Sequence, residues 1–170
     1  DGWQMARDAG VAPCAWAAVD TALWDLLARS QSKPLYRLLG LPRRAVPTSV
    51  TIGILPPDVV RERVPEVIQR TGARYLKVKL GSPEGLEADC ETFSAVQEGA
   101  SSFDVKVRVD ANGGWNLKDA QKMMTWLKKH DCDYVEQPLH HNNDDELPVL
   151  FKNRALPIFI DESCNFSSDV

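Results

Sequence analysis

The sequence has no pair of cysteines close enough to clamp a metal or close a redox motif. Its four cysteines, Cys14, Cys90, Cys132 and Cys164, are scattered. That spacing fits reduced thiols in a cytoplasmic protein and speaks against a disulfide framework or a thiolate zinc site. Positive charge is not in excess either: 20 Lys and Arg stand against 24 Asp and Glu, a formal net charge of -4. A nucleic-acid footprint needs a clustered basic face, so no such partner is expected. No apolar run approaches the length of a membrane span, which leaves no membrane partner to expect. Phosphate-binding signatures are missing too. The spacing in KLGSPEG matches no phosphate loop, and TIGILPPD lacks the Gly-rich turn that an open-sheet nucleotide binder places after its first strand.

What is present is an ordinary globular composition, 44% hydrophobic and 26% charged. Residues 12–29 carry Trp16, Val19, Leu23 and Leu26 or Leu27 at helical spacing, and a short helix is expected in LYRLLG, closed by Gly40. LPRRAVP then forms a Pro-rich joint, which divides the chain into segments 1–44 and 45–170. Beyond the joint one unit recurs. Strands are expected in PTSVTIGI, RYLKVKL, DVKVRVDAN, CDYVEQP and LPIFIDES. Helices are expected over 56–72, 82–100, 116–130 and 144–152, with Asn116 as an N-cap and Pro65 as the weak point of the first. Strands alternating with helices predict an α/β fold with a parallel sheet. Five strands suit either an open doubly wound sheet or part of a barrel, and pattern alone leaves both open.

The ionisable residues fall at strand ends. In LKVKLG, Lys77 and Lys79 share one face of a strand while Leu76, Val78 and Leu80 share the other. Asp110, Glu136 and Asp161 close the next three strands, about one strand–helix unit apart. Such ends are where active sites of parallel α/β folds collect. Carboxylates converging on one point need a counter-charge, and three oxygens on rigid strands suit Mg²⁺. Asp161 and Glu162 are adjacent and point to opposite sides; parity with Phe159 makes Asp161 one candidate without settling the choice. Two ammonium groups beside a divalent cation favour the neutral form of one of them, a usable general base.

The segments KVKLG, VRVDANGGW, YVEQPL and PIFIDES, in this order and spacing, resemble the enolase superfamily, specifically its muconate-lactonizing subgroup. WAAVDTALWDLLARSQSKPLYRLLG resembles the segment leading from that family's capping domain into its barrel. The resemblance implies a partial (β/α)7β TIM-like barrel of about five units. Before it would come the C-terminal helices of an α+β capping domain (1–44), with the barrel truncated after strand five (45–170). Within the subgroup, TSVTIGI and RVDANGGW most resemble dipeptide epimerases of the L-Ala-D/L-Glu type. By that resemblance Asp110, Glu136 and Asp161 are the ligands of one Mg²⁺, Lys79 is the catalytic base and Lys77 its electrostatic neighbour, also touching substrate. Thr51 is a substrate contact, and Asn112 and Glu162 support the ligands from behind.

The activity implied is Mg²⁺-dependent epimerisation of Ala-Glu-like dipeptides by α-proton abstraction through an enediolate, in a homo-oligomeric full-length isomerase. The lysine this family uses to return the proton lies on a sixth strand. With no initiator methionine at Asp1 and a stop just after a strand, the chain is expected to be a piece of a longer protein, inactive alone and exposing two apolar sheet edges. The competing reading is another enolase-superfamily enzyme, such as o-succinylbenzoate synthase or muconate cycloisomerase, which shares the metal triad and lysine pair. A non-catalytic binding protein is disfavoured because every ligand and both lysines are kept.

Two further groups invite function. Helical spacing assigns Trp16, Trp24 and Trp126 to core packing, and GGW with Trp115, beside Asp110, reads as a turn shaping the metal site rather than a binding platform. LHHNNDDE reads as a solvated loop leading into a helix, since the adjacent His140 and His141 do not easily converge on one ion.

Overall fold

The computed structural model describes residues 2–44, 47–165 and 169 and divides into two compact units, Asp1–Val46 and Pro47–Val170. The first unit is helical: α1 (Gly2–Asp8), α2 (Pro13–Ser30) and α3 (Leu35–Leu38). Helix α1 has no counterpart in the sequence reading. Pro13 opens α2, where a missing N–H costs nothing. Trp3 meets Trp16 edge to face at 6.4 Å. Trp24 departs from expectation: it is 38% exposed, and Leu23 and Leu26 are more so. Among the described residues of this unit two short helices, α1 and α3, accompany α2 and offer too little surface to cover all of its apolar residues.

The second unit alternates β1 (Val50–Ile52), α4 (Pro57–Thr71), β2 (Tyr75–Lys79), α5 (Leu86–Ala100), β3 (Lys106–Asp110), α6 (Leu117–Lys129), β4 (Cys132–Glu136), α7 (Leu147–Lys152) and β5 (Ile158–Phe159). A 3₁₀ turn, His141–Glu146, leads into α7 in place of one continuous helix from 144. The strands form one parallel sheet in the order β1-β2-β3-β4-β5. That consecutive order decides between the two architectures left open by pattern: a doubly wound sheet reverses its order, whereas a (β/α) barrel does not.

One face of the sheet is dry. Ile52, Leu76, Val78, Leu80, Val107, Val109 and Val135 are buried there with the apolar stripes of the helices. Those stripes recur at helical spacing: Val60, Val64, Val67 and Ile68 on α4, Phe93, Val96 and Ala100 on α5, and Ala120, Met123, Met124 and Leu127 on α6. Each Val, Leu, Ile, Phe or Met side chain among them, fully buried, is worth about 1.5–3 kcal/mol. Trp126 packs against this core, edge to face with Phe93 at 5.8 Å, as its spacing predicts. Helix α4 runs through Pro65, which denies the Arg61 carbonyl its usual donor, and ends at left-handed Gly72, whose N–H donates to the Ile68 carbonyl. Helix α6 is capped as read: the Asn116 side chain accepts the Asp119 N–H at 2.9 Å.

The β3–β4 register contains an irregularity. Val107 pairs with Cys132, but Val109 pairs with Val135 and Asp110 with Glu136, so β4 carries one extra residue. Its burial alternation breaks accordingly, with Cys132 and Val135 buried and Asp133 and Tyr134 both half-buried between them. All four cysteines are free thiols, and burial pushes Cys132 up to about 12. Among the described residues no helix is long and apolar enough to cross a membrane.

Candidate active site

The opposite face of the sheet is polar. Lys77 lies in register with Thr51 on β1 and Arg108 on β3, and Lys79 lies in register with Asp110. Strand alternation therefore puts these side chains on one surface, away from Leu76 and Val78. Arg108 lies between aromatic rings, 3.9 Å from the centre of Tyr75 and 5.1 Å from that of Tyr134. It donates to Asp133 at 3.2 Å and to Ser49 at 3.1 Å, so this cation is committed to the sheet rather than to the strand ends.

At the strand ends charge concentrates. One carboxylate oxygen from each of Asp110, Glu136 and Asp161 lies within 4.8 Å of the others. Asp110 is fully buried, Glu136 half-buried and Asp161 exposed, so the cluster opens outward. Both lysines reach it. Lys79 Nζ donates to Asp110 Oδ2 at 2.6 Å, and Lys77 Nζ donates to Glu136 Oε1 at 2.9 Å and approaches Asp110 Oδ2 to 3.3 Å. The extra residue in β4 is what delivers Glu136. Strict alternation from Cys132 would send Glu136 to the helix side; one additional residue reverses its parity.

The electrostatics follow from this packing. Burial alone would raise the Asp110 carboxyl, but the Lys79 hydrogen bond, the Asn112 N–H and the charge of Lys77 outweigh it and hold the group below the usual aspartate range. Burial likewise opposes charge on Lys77, yet Glu136 and Asp110 prevail and hold it above the ordinary lysine range. Three carboxylates and two ammonium groups leave one net negative charge in a cluster of hard oxygen donors. That donor set fits a divalent hard cation such as Mg²⁺ and offers nothing to a soft one.

The remaining candidates are placed differently. Thr51 is exposed on the lysine face, one strand over from Lys77. Asn112 turns into the left-handed region (φ 47) and is exposed; its backbone N–H, not its side chain, donates to Asp110 Oδ1 at 3.0 Å. Glu162 is exposed and participates through its carbonyl, which accepts from Asn165 at 2.8 Å. Trp115 is buried in the turn after β3. His140 caps its own turn, accepting the Asn142 N–H at 3.2 Å.

Gln137 escaped the sequence reading. It is wholly buried with φ 39, a conformation non-glycine residues rarely hold. Its amide donates to the Leu139 carbonyl at 2.8 Å and to Ser163 Oγ at 2.6 Å, and its Oε1 accepts the Asp161 N–H at 2.8 Å. The backbone beside Glu136 is thereby tied to the backbone of Asp161. Nothing in a single sequence marks such an amide, because its partners lie far along the chain.

Comparison with known proteins adds a second line. Residues 59–170 match the family model described as "Enolase C-terminal domain-like", and residues 2–40 match "Mandelate racemase / muconate lactonizing enzyme, N-terminal domain". A hydrophobic dipeptide epimerase of Roseobacter litoralis is 63% identical over 170 residues, covering 100% of this chain and 49% of that protein. Another, from a Flavobacteria bacterium, is 49% identical and covers 99% of this chain and 48% of its own. Among solved structures, the Enterococcus faecalis dipeptide epimerase complexed with Mg and L-Leu-L-Tyr has a TM-score of 0.86 at 36% identity, covering 97% of this chain and 46% of that one. The chain spans about half the length of the curated relatives it matches.

Proposed function

Because the chain belongs to the mandelate racemase / muconate lactonizing enzyme family of enolase-like proteins, we propose that it carries the base-bearing half of a Mg²⁺-dependent dipeptide epimerase. The observation that carries this reading is the convergence of Asp110, Glu136 and Asp161 with two lysines on the same sheet face. Relatives named dipeptide epimerases at 63% and 49% identity support the substrate class. Their names set hydrophobic dipeptides beside the Ala-Glu-like substrate that the sequence motifs suggest.

Asp110, Glu136 and Asp161 would hold the ion. Bound there, Mg²⁺ supplies positive charge to the substrate carboxylate next to the reacting carbon. Lys79 in its neutral form takes the α-proton from one face of that carbon. Lys77, kept charged by Glu136, offers an ammonium group to the negative charge that develops as the proton leaves. Thr51, in register with Lys77, presents a hydroxyl to the same space. Asn112 supports Asp110 through its N–H, and Glu162 borders the last ligand. Epimerisation returns the proton on the other face, a task for a group outside residues 1–170. In this reading 1–44 belongs to a capping domain, 45–170 to a barrel, and the full-length isomerase is a cytoplasmic homo-oligomer.

The test uses full-length protein in D₂O with Mg²⁺ and a panel of hydrophobic and Ala-Glu dipeptides. Deuterium is expected at the α-carbon of one residue, with formation of the epimer and loss of both on chelation. Absence of exchange with every dipeptide, together with turnover of an o-succinylbenzoate synthase or muconate cycloisomerase substrate, would replace this reading by the other.

A further inference from the structure

Beneath the rim lies a carboxylate that the ion cluster does not use. Asp89, in the first turn of α5, is 1% exposed. Its oxygens accept the Gly81 N–H at 3.0 and 3.2 Å, the Ser82 N–H at 3.0 Å and the Trp115 indole N–H at 2.8 Å. All of these donors are neutral, and together they make a buried carboxylate tolerable. Gly81 and Ser82 open the loop that follows Lys79, whereas Trp115 belongs to the loop that follows Asp110. One anion therefore clips together the loops after β2 and β3.

The backbones it joins are already in contact. The Leu80 N–H donates to the Asp110 carbonyl at 2.8 Å. Gly81 holds φ +83, and a Cβ there would fall 2.2 Å from the Ala111 carbonyl oxygen; one on Gly114 would fall 2.6 Å from the Gly81 Cα. Glycine stacked on glycine brings the strand ends close, but it supplies no directional bond between them. Asp89 supplies those bonds.

We propose that Asp89 is a positioning residue for the reaction proposed above: it fixes the end of β2, and so Lys79, against Asp110 and the carbon whose proton Lys79 removes. The proposal rests on that functional reading. Without the clip, the 2.6 Å Lys79–Asp110 contact rests on the strand ladder and the non-directional glycine packing. Proton transfer is sensitive to this, since a misplacement of about 1 Å can cost about 10²-fold in rate.

The experiment measures α-carbon deuteration from each epimer of a turned-over dipeptide, with full-length protein and saturating Mg²⁺. Lys79→Ala first identifies which epimer this lysine deprotonates. Asp89→Asn keeps the size but turns an NH₂ group toward donors that need an acceptor. Exchange from the Lys79-side epimer is expected to fall about 10–100-fold, with the other epimer and both KM values nearly unchanged. Trp115→Phe removes one of the donors and should give a smaller loss with the same asymmetry. Equal losses for both epimers, or the wild-type ratio, would overturn the proposal. If Asp89→Asn does not fold, the ratio in Trp115→Phe decides by the same criterion. Failure of the unmodified protein to exchange any dipeptide appears before a variant is made; it defeats the functional reading itself, and this inference with it.

Discussion

Asp110 has no solvent access, yet it accepts from the Lys79 ammonium group and a backbone N–H and lies 3.3 Å from that of Lys77. Asp110→Asn should remove Mg²⁺ binding, measured by titration calorimetry. It should also lower stability by about 1–3 kcal/mol, toward the smaller figure because both lysines keep contact with solvent. Stability measured with a chelator should depend on pH at both ends. The Asp110 carboxyl is held below its unfolded value, so its contribution is full above about pH 4 and is lost as pH falls through the lower folded value. Lys77 is held above its unfolded value, so its contribution is full below about pH 10.4 and is lost as pH rises through the higher folded value. Denaturant midpoints should fall below about pH 4, with that acid limb flattened in Asp110→Asn; on the alkaline side the buried Cys132 thiol, pushed up to about 12, already lowers them from about pH 8.5 upward. For catalysis, Lys79→Ala should cut exchange from the epimer it serves by about 10²–10⁴-fold and the other by less, read by mass spectrometry in D₂O. That carboxylates of successive strands converge, as Asp110, Glu136 and Asp161 do, was legible because strand ends in a parallel fold meet at one rim; the choice of Asp161 over the adjacent Glu162 came from the family resemblance. The wiring behind the cluster was not legible: Gln137 reaches Ser163 and Asp89 reaches Trp115, contacts that only the folded chain creates.

At the scale of elements, legibility followed the number of independent local signals. Helix α6 was readable end to end because an N-cap, an apolar stripe and terminal lysines agree. Asn116→Ala should therefore cost about 1 kcal/mol in chemical denaturation, with activity intact. Phe93, buried on α5 against Trp126, should cost about 3–5 kcal/mol when cut to Ala. Short elements were harder to read. Helix α1 is only Gly2–Asp8, too short for a periodicity to declare itself, and the strand expected in LPIFIDES narrows to Ile158–Phe159. The expected strand over 47–54 shrinks to Val50–Ile52, which has one neighbour strand in the described sheet.

For the whole molecule, sheet order carried what periodicity lacked: the sequence reading allowed two architectures, and consecutive parallel pairing leaves one. The same order makes β1 and β5 the outer strands of the described sheet, flanked by exposed Ile54, Leu55, Phe159 and Ile160. Residues 1–170 produced alone should bind the apolar dye ANS and self-associate, as followed by light scattering. Phe159→Lys should reduce both, since charge on an open strand edge opposes pairing.

The extra residue in β4 gives the protein an unusual kind of fragility. Between Cys132 and Glu136 the number of letters matters as well as which letters they are. Residues 133 and 134 hold Arg108 by an ion pair and a ring contact, and separately the strand must stay one residue too long. Deleting either would leave composition, charge and hydrophobicity almost unchanged while turning the second carboxylate into the wall. A scan of substitutions would find only the contacts with Arg108, whereas a scan of lengths would find the parity of Glu136.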